Sequence, residues 1–255
     1  MSTQSLQALS DTNRLHPTRP EAVRDGLNRV FIDEAKCTMD SSLFRQEFEA
    51  CIESLLGAIY PNFSREENVR PTHFDPNEQL LMGCDFNRNP MCAVVAQLQG
   101  DKLVVLKEWA MTDADTKMLA VSICKDFPRQ EIYAFPDPTG SRQQTSSMGL
   151  SDHSILRQHG FRVKSPKAPW AIRDKYAAVR FMLKDANNRR RLIIDPSAKR
   201  LIRSIASLEY APGKSVADPR SEHGHATDAL GYLALGVCKG LLPYSIGTSS
   251  FKLYG

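Results

Sequence analysis

The 255-residue chain contains no apolar run approaching the roughly 20 residues that span a bilayer. Its opening, Met1-Ser2-Thr3-Gln4-Ser5, lacks the charged-then-apolar layout of a signal peptide, so a membrane role is not expected. The six cysteines (Cys37, Cys51, Cys84, Cys92, Cys124, Cys238) never form a C-x-x-C pair. Cys84 and Cys92 sit inside apolar runs, where a thiol behaves as a small hydrophobe, which suits a reducing compartment without structural zinc. A phosphate loop of the form G-x-x-x-x-G-K-[ST] is missing too: the fragment Gly213-Lys214-Ser215 has Leu208 where the first glycine belongs. The stretch Val30-Phe31-Ile32-Asp33-Glu34 imitates the acidic strand of an ATPase, but without that loop it cannot bind a nucleotide in the usual way. No internal repeat is found.

What is present is a globular composition, 42% hydrophobic and 24% charged, enough to bury a core in one large domain or one domain plus an arm. Residues 1–28 are polar, with prolines at 17 and 20, and read as a flexible arm. Residues 29–77 read as a helical linker, with Phe44, Phe48, Ile52 and Leu55 at helical spacing before three prolines break the pattern. Residues 78–240 are expected to form the main domain, and 241–255 a flexible tail. Net charge is +4, but the stretch from Phe161 to Arg203 holds 13 Lys or Arg against 3 Asp. A basic block beside acidic ends suits a polyanion; a solvated helix face is the alternative.

Within the main domain, Gln79 to Phe86, Met91 to Leu98 and Lys102 to Trp109 read as an antiparallel meander, reversed at Gly100-Asp101. Thr112 or Asp113 is expected to cap a helix to Phe127, and Glu131 to Phe135 is a fourth strand. A short helix capped by Ser151 and closed by Gly160 precedes a fifth strand, Phe161 to Lys164. Helices follow at Trp170 to Asp185, at Pro196 to Leu208 with Asp195 as cap, and at His225 to Val237. The predicted class is α/β, a mixed sheet flanked by helices.

Three aspartates stand out against this layout. Asp85 and Asp137 each end an apolar strand, where open α/β sheets place ligands. Asp228 opens a helix rich in small residues (Ala229, Gly231, Ala234, Gly236) that can lie close to a sheet. Singly, each is an ordinary turn or helix-start acid. Together they suggest a shared site for Mg²⁺ or Mn²⁺, because desolvated carboxylates need pairing or a cation. Two such ions about 3.5 to 4 Å apart serve phosphodiester hydrolysis.

The order of these pieces resembles the nuclease domain of the large terminase subunit of tailed bacteriophages, an RNase H-like fold. The markers are Ile32-Asp33-Glu34-Ala35-Lys36, Phe44 to Ala50, Tyr60-Pro61-Asn62-Phe63, Gly83-Cys84-Asp85-Phe86 and Asp137-Pro138-Thr139-Gly140. They continue with Leu192-Ile193-Ile194-Asp195-Pro196 and with His225 to Tyr232. The resemblance implies a metal-dependent DNA endonuclease that cuts concatemeric viral DNA during capsid filling in the host bacterial cytoplasm. It implies Asp85 as the ligand bridging two ions, with Asp137 and Asp228 holding one each. Implied partners are double-stranded DNA, the viral portal, the small terminase subunit, and an ATPase motor half that this chain lacks.

Secondary candidates are His223, His225 and Glu108 as auxiliary groups near the metal or leaving oxygen. Arg162, Lys164, Lys167, Arg173, Lys175, Arg180, Arg189, Arg190 and Arg191 are candidates for phosphate contact, which positions DNA without reading its sequence. Trp170 is expected in the core. Competing readings are a junction resolvase or transposase-type nuclease, and a docking module of a packaging motor that binds DNA without cutting it.

Overall fold

The computed structural model describes residues 32–33, 35–37, 39, 44, 57–87, 89–142, 150–166 and 169–239. The arm, most of the helical pattern before residue 57, the tail and Lys167 lie outside the described residues. Ile32 and Asp33, read as part of an ATPase-like strand, are helical.

Six strands form one mixed sheet: β1 (Leu80–Asp85), β2 (Met91–Gln99), β3 (Lys102–Met111), β4 (Ile132–Pro136), β5 (Arg162–Val163) and β6 (Leu192–Ile194). Their spatial order is β5-β4-β1-β2-β3-β6. The first three strands are the expected antiparallel meander, turned at Gly100, whose φ of 62° lies in the left-handed region open to glycine. β4 adds to β1 in parallel, Leu80 opposite Ile132 through Cys84 opposite Pro136. Both strands therefore end on the same edge.

Alternation along the strands divides the core between the two faces. Leu81, Val94, Ala96, Leu103, Val105, Tyr133 and Phe135 pack toward α4 (Ile172–Leu183), α5 (Lys199–Ser207) and α6 (Gly224–Cys238). Leu80, Met82, Cys84, Ala93, Val95, Trp109, Ile132 and Ala134 pack toward α2 (Thr116–Asp126) and α3 (Asp152–Gln158). A four-residue helix, α1 (Arg65–Asn68), precedes the sheet, and Ile59 and Tyr60 belong to the same core as α4 to α6. Burying a side chain such as Phe135 or Phe181, both without exposed surface, stabilises the fold by roughly 1.5–3 kcal/mol.

Several expectations needed correction. Leu192–Ile194 is a sixth strand, paired in parallel with Leu103–Val105, where none was foreseen. Asp115, not Thr112 or Asp113, caps α2 by accepting from Met118 N at 2.7 Å. β3 runs on to Met111, and Asp113 is spent on the turn with φ 52°. α4 stops at Leu183, because Asp185 turns inward as a fully buried acceptor for Arg189 and Arg191. Nor does Asp195 cap α5, which starts at Lys199: its carboxylate accepts from Ser197 N and from Thr72 N and Oγ1. Ser151 does cap α3, with a full capping box.

Candidate functional site

Asp85 is the last residue of β1, and alternation puts it on the side of Leu81 and Gly83, which faces α6. Asp137 follows β4 directly, its N–H donating to Cys84 O at 2.9 Å, and it lies on the same face as Phe135. Its carboxylate accepts from Thr139 N at 2.9 Å, opening a one-turn 3₁₀ segment, Pro138–Ser141. A Cβ on Gly140 would fall 2.2 Å from the Phe86 ring, so glycine there lets the turn after β4 nest against the residue that follows Asp85.

The third carboxylate arrives on α6. That helix can approach the sheet because Gly83 has no side chain: a Cβ there would sit 1.9 Å from the Ala229 carbonyl oxygen. Gly236 likewise admits the Phe135 ring, where a Cβ would lie 2.3 Å from the ring carbon Cδ1. The helix begins at Gly224, so Asp228 is its fifth residue rather than part of the first turn. The helix dipole fades within that turn. Positive charge at Asp228 comes instead from Lys175 of α4, whose Nζ forms an ion pair with Asp228 Oδ1.

Each carboxylate is thus engaged by a different neighbour. His225 Nδ1 donates to Asp85 Oδ2 at 2.9 Å, and Asn87 Nδ2 lies 3.2 Å from the other ring nitrogen. Tyr232, one helical turn beyond Asp228, stands within the field of Asp137. Burial raises the Asp85 carboxyl above its ordinary range; the hydrogen bond from His225 offsets part of this, and the charges of Asp228 and Asp137 add to it. The partnership with Asp85 raises the His225 imidazole. Burial raises the Tyr232 phenol, helped by the charges of Asp137, Asp228 and Asp85. The reach of the Asp228 and Asp137 charges to Asp85 is the electrostatic sign of one shared neighbourhood.

Among the described residues, no group of three or more His, Cys, Asp or Glu side chains is placed to hold an ion directly. The donor chemistry nonetheless fits a hard divalent cation. Asp85, 13% exposed, meets the field of two more carboxylates, and oxygen donors of this kind are what Mg²⁺ and Mn²⁺ take.

The remaining candidates separate by geometry. His225 joins the site, whereas His223 stands before α6 with its backbone N–H on Ser221 Oγ. Glu108 reaches from β3 to accept from Arg200 N and Leu201 N at 2.8 and 2.7 Å, so it caps α5. Arg191 is fully buried on Asp185, Arg189 shares that carboxylate, and Arg190 holds Glu67 and Asn62 O. These three serve the fold, Arg191 with no surface left to offer a phosphate. Arg180 donates to Tyr176 O, Arg173 stands beside Asp174, and Arg162 pairs with Glu131. Lys164 lies over the Tyr133 ring and, with Arg157 and Arg162, lines an open cleft of about 510 Å³ beside β5. Trp170 packs against the core, partly buried, as expected.

Sequence reasoning missed the roles of Lys175, Tyr232 and Asn87. A signal existed for the first two: Lys175 falls on the buried stripe of α4 with Val179 and Met182, and Tyr232 is four residues from Asp228.

A mixed sheet of a three-stranded meander extended in parallel at β4, with acidic residues at the carboxyl ends of the neighbouring strands β1 and β4, is an RNase H-like fold. The solved structures of this shape include large terminases of bacteriophages. The large terminase of a thermophilic bacteriophage matches with a TM-score of 0.62 at 17% identity, over 80% of this chain and 51% of that one. The P22 large terminase nuclease domain matches with a TM-score of 0.54 at 11% identity, over 72% of this chain and 92% of that one. The large terminase nuclease of thermophilic phage G20c, with bound cobalt, matches with a TM-score of 0.50 at 14% identity, over 70% of this chain and 95% of that one. In sequence, the chain is 23% identical over 242 residues to the terminase large subunit of Escherichia phage T5. That alignment takes in 89% of this chain and 52% of the relative, so the chain spans about half the relative's length. No family model matches the chain.

Proposed function

We propose that the chain is a divalent-metal-dependent DNA endonuclease that cuts concatemeric viral DNA during genome packaging. The observation that carries this reading is the delivery of Asp85, Asp137 and Asp228 by three separate elements to one edge of an RNase H-like sheet. The cobalt bound by the G20c nuclease supports a divalent cation as a ligand of these carboxylates. Asp85, nearest the middle of the sheet and influenced by both other acids, is the shared ligand, with Asp137 and Asp228 flanking it. Mg²⁺ or Mn²⁺ held there, as two ions, would supply Lewis-acid charge to a phosphodiester and a water acidic enough to attack it.

The chain's own groups do the rest. His225 fixes the orientation of Asp85 through Nδ1, and the backbone N–H of Thr139 does the same for Asp137. The DNA backbone lies along the edge from Asp137 toward Lys164, Arg162 and Arg157, whose contacts are with phosphates. The portal, the small terminase subunit and an ATPase motor half complete the machine around this domain.

Plasmid DNA incubated with the protein should be cut in Mg²⁺ or Mn²⁺ and spared in EDTA. Asp85→Ala, folded by circular dichroism, should lose at least roughly 10²-fold in rate, as removal of a charge-stabilising group at a reaction centre typically does. Undiminished cutting by that variant would remove the assignment.

A further inference from the structure

Lys175 is a lysine where lysine is costly. Its side chain is 6% exposed on the inner stripe of α4, and an ammonium in such a place needs a partner. Two elements of the site have made room for it. Its Nζ pairs with Asp228 and lies 4.3 Å from the centre of the Tyr232 ring. Gly231 lets the stem pass, since a Cβ there would fall 3.1 Å from Lys175 Cβ. The ammonium is therefore inserted between Asp228 and the Tyr232 ring, inside the acidic site rather than on a DNA-facing surface.

We propose that Lys175 and a divalent cation compete for Asp228, so that Lys175 sets how tightly the acidic site takes its ion. The proposal rests on the metal-site reading above. An ion sharing an oxygen of Asp228 brings like charge against the ammonium, so one must yield. Lysine suits that part: it is a compact point charge on a flexible stem, able to withdraw as arginine's broad fork is not. Lys175 acts through Asp228 and is a positioning residue. A purely structural lysine would change stability when replaced and leave ion affinity alone.

The test is calorimetric titration of the whole chain with MnCl₂, without DNA. Lys175→Met keeps the stem and removes the charge. It should bind Mn²⁺ roughly 10- to 100-fold more tightly than the unchanged protein, the range over which groups beside metal ligands act. Asp228→Asn added to that variant should abolish the gain. Equal affinity in Lys175→Met and the unchanged protein would overturn the proposal, as would a gain that survives Asp228→Asn. Lys175→Gln provides the same comparison should the methionine variant not fold. Asp85→Asn in the Lys175→Met background separates the two readings. Loss of binding there upholds the acidic site whatever Lys175 does, and retained binding sinks the site itself.

Discussion

Single residues in this protein are often settled by partners far away in sequence. Asp195 illustrates this. Its position before Pro196 and a helical pattern reads as a cap, yet its oxygens accept from Ser197 and from Thr72, which stands before β1 at the other end of the domain. Burial acts to raise its carboxyl, but the hydrogen bonds from Ser197 and Thr72 prevail, and it lies below the ordinary carboxylate value. A folded-state value below the unfolded one means stability that is present above the unfolded value, about 3.9, and lost as pH falls through the folded one. Asp195→Ala should cost about 1–2 kcal/mol at about pH 7 by urea unfolding, and the gap should close below about pH 4. A gap that persisted unchanged in stronger acid would show that the charge plays no part. The same non-locality explains the misread residues of the site. Asp85, Asp137 and Asp228 stand out in the sequence because each breaks an apolar run, whereas Glu108 looks equally available and is committed to Arg200 and Leu201 of α5. Which carboxylate is spent on capping the fold depends on tertiary neighbours that no local pattern encodes.

At the scale of elements, long periodic segments were legible, and short ones only where a cap or turn bracketed them, as Ser151 and Gly160 do for α3 and β5. β1 to β4 carry enough alternation, and turns marked strongly enough, to be found from sequence; β6 has three residues between Arg191 and Asp195 and exists only because β3 offers an edge. α6 was legible to within one residue at each end, and its small residues were correctly read as permitting close approach. The closest approach is nevertheless set by Gly83 in the strand. Gly83→Ala must push the Ala229 backbone away, and overpacking of this kind costs about 1–3 kcal/mol. We expect a lower urea midpoint with an unchanged slope, and a fall in metal-dependent cutting larger than the stability loss explains, since Asp85 and Asp228 lie on the two elements forced apart. A Gly83→Ala protein as stable and active as the original would show that α6 has slack against β1.

For the molecule as a whole, net charge is a poor guide and its placement a better one. The chain carries +4, and its basic stretch reads as suited either to a polyanion or to a solvated helix face. Folding divides it: Arg189, Arg190 and Arg191 bind acidic groups and carbonyls of the fold, Lys175 enters the acidic site, and Arg162 and Lys164 remain by the cleft at β5. Arg157, outside the basic stretch, joins them. Arg157→Ala and Lys164→Ala should each weaken duplex binding without changing sequence preference and lower the salt slope by about one. Binding measured by fluorescence anisotropy between about 50 and 200 mM NaCl checks this; an unchanged slope in both variants would place the DNA elsewhere. Among the described residues, no helix is long and apolar enough to cross a membrane.

The contact of Gly83 with Ala229 has a mechanical meaning. Backbone against backbone leaves no side chain to compress or rotate, so β1 and α6 behave as one stiff ruler on which Asp85 and Asp228 are fixed marks. Adjustment of the site to a bound strand must then come from the turn that bears Asp137 and from the reach of the Lys175 side chain, leaving Asp137 and the Lys175 ammonium as its adjustable parts.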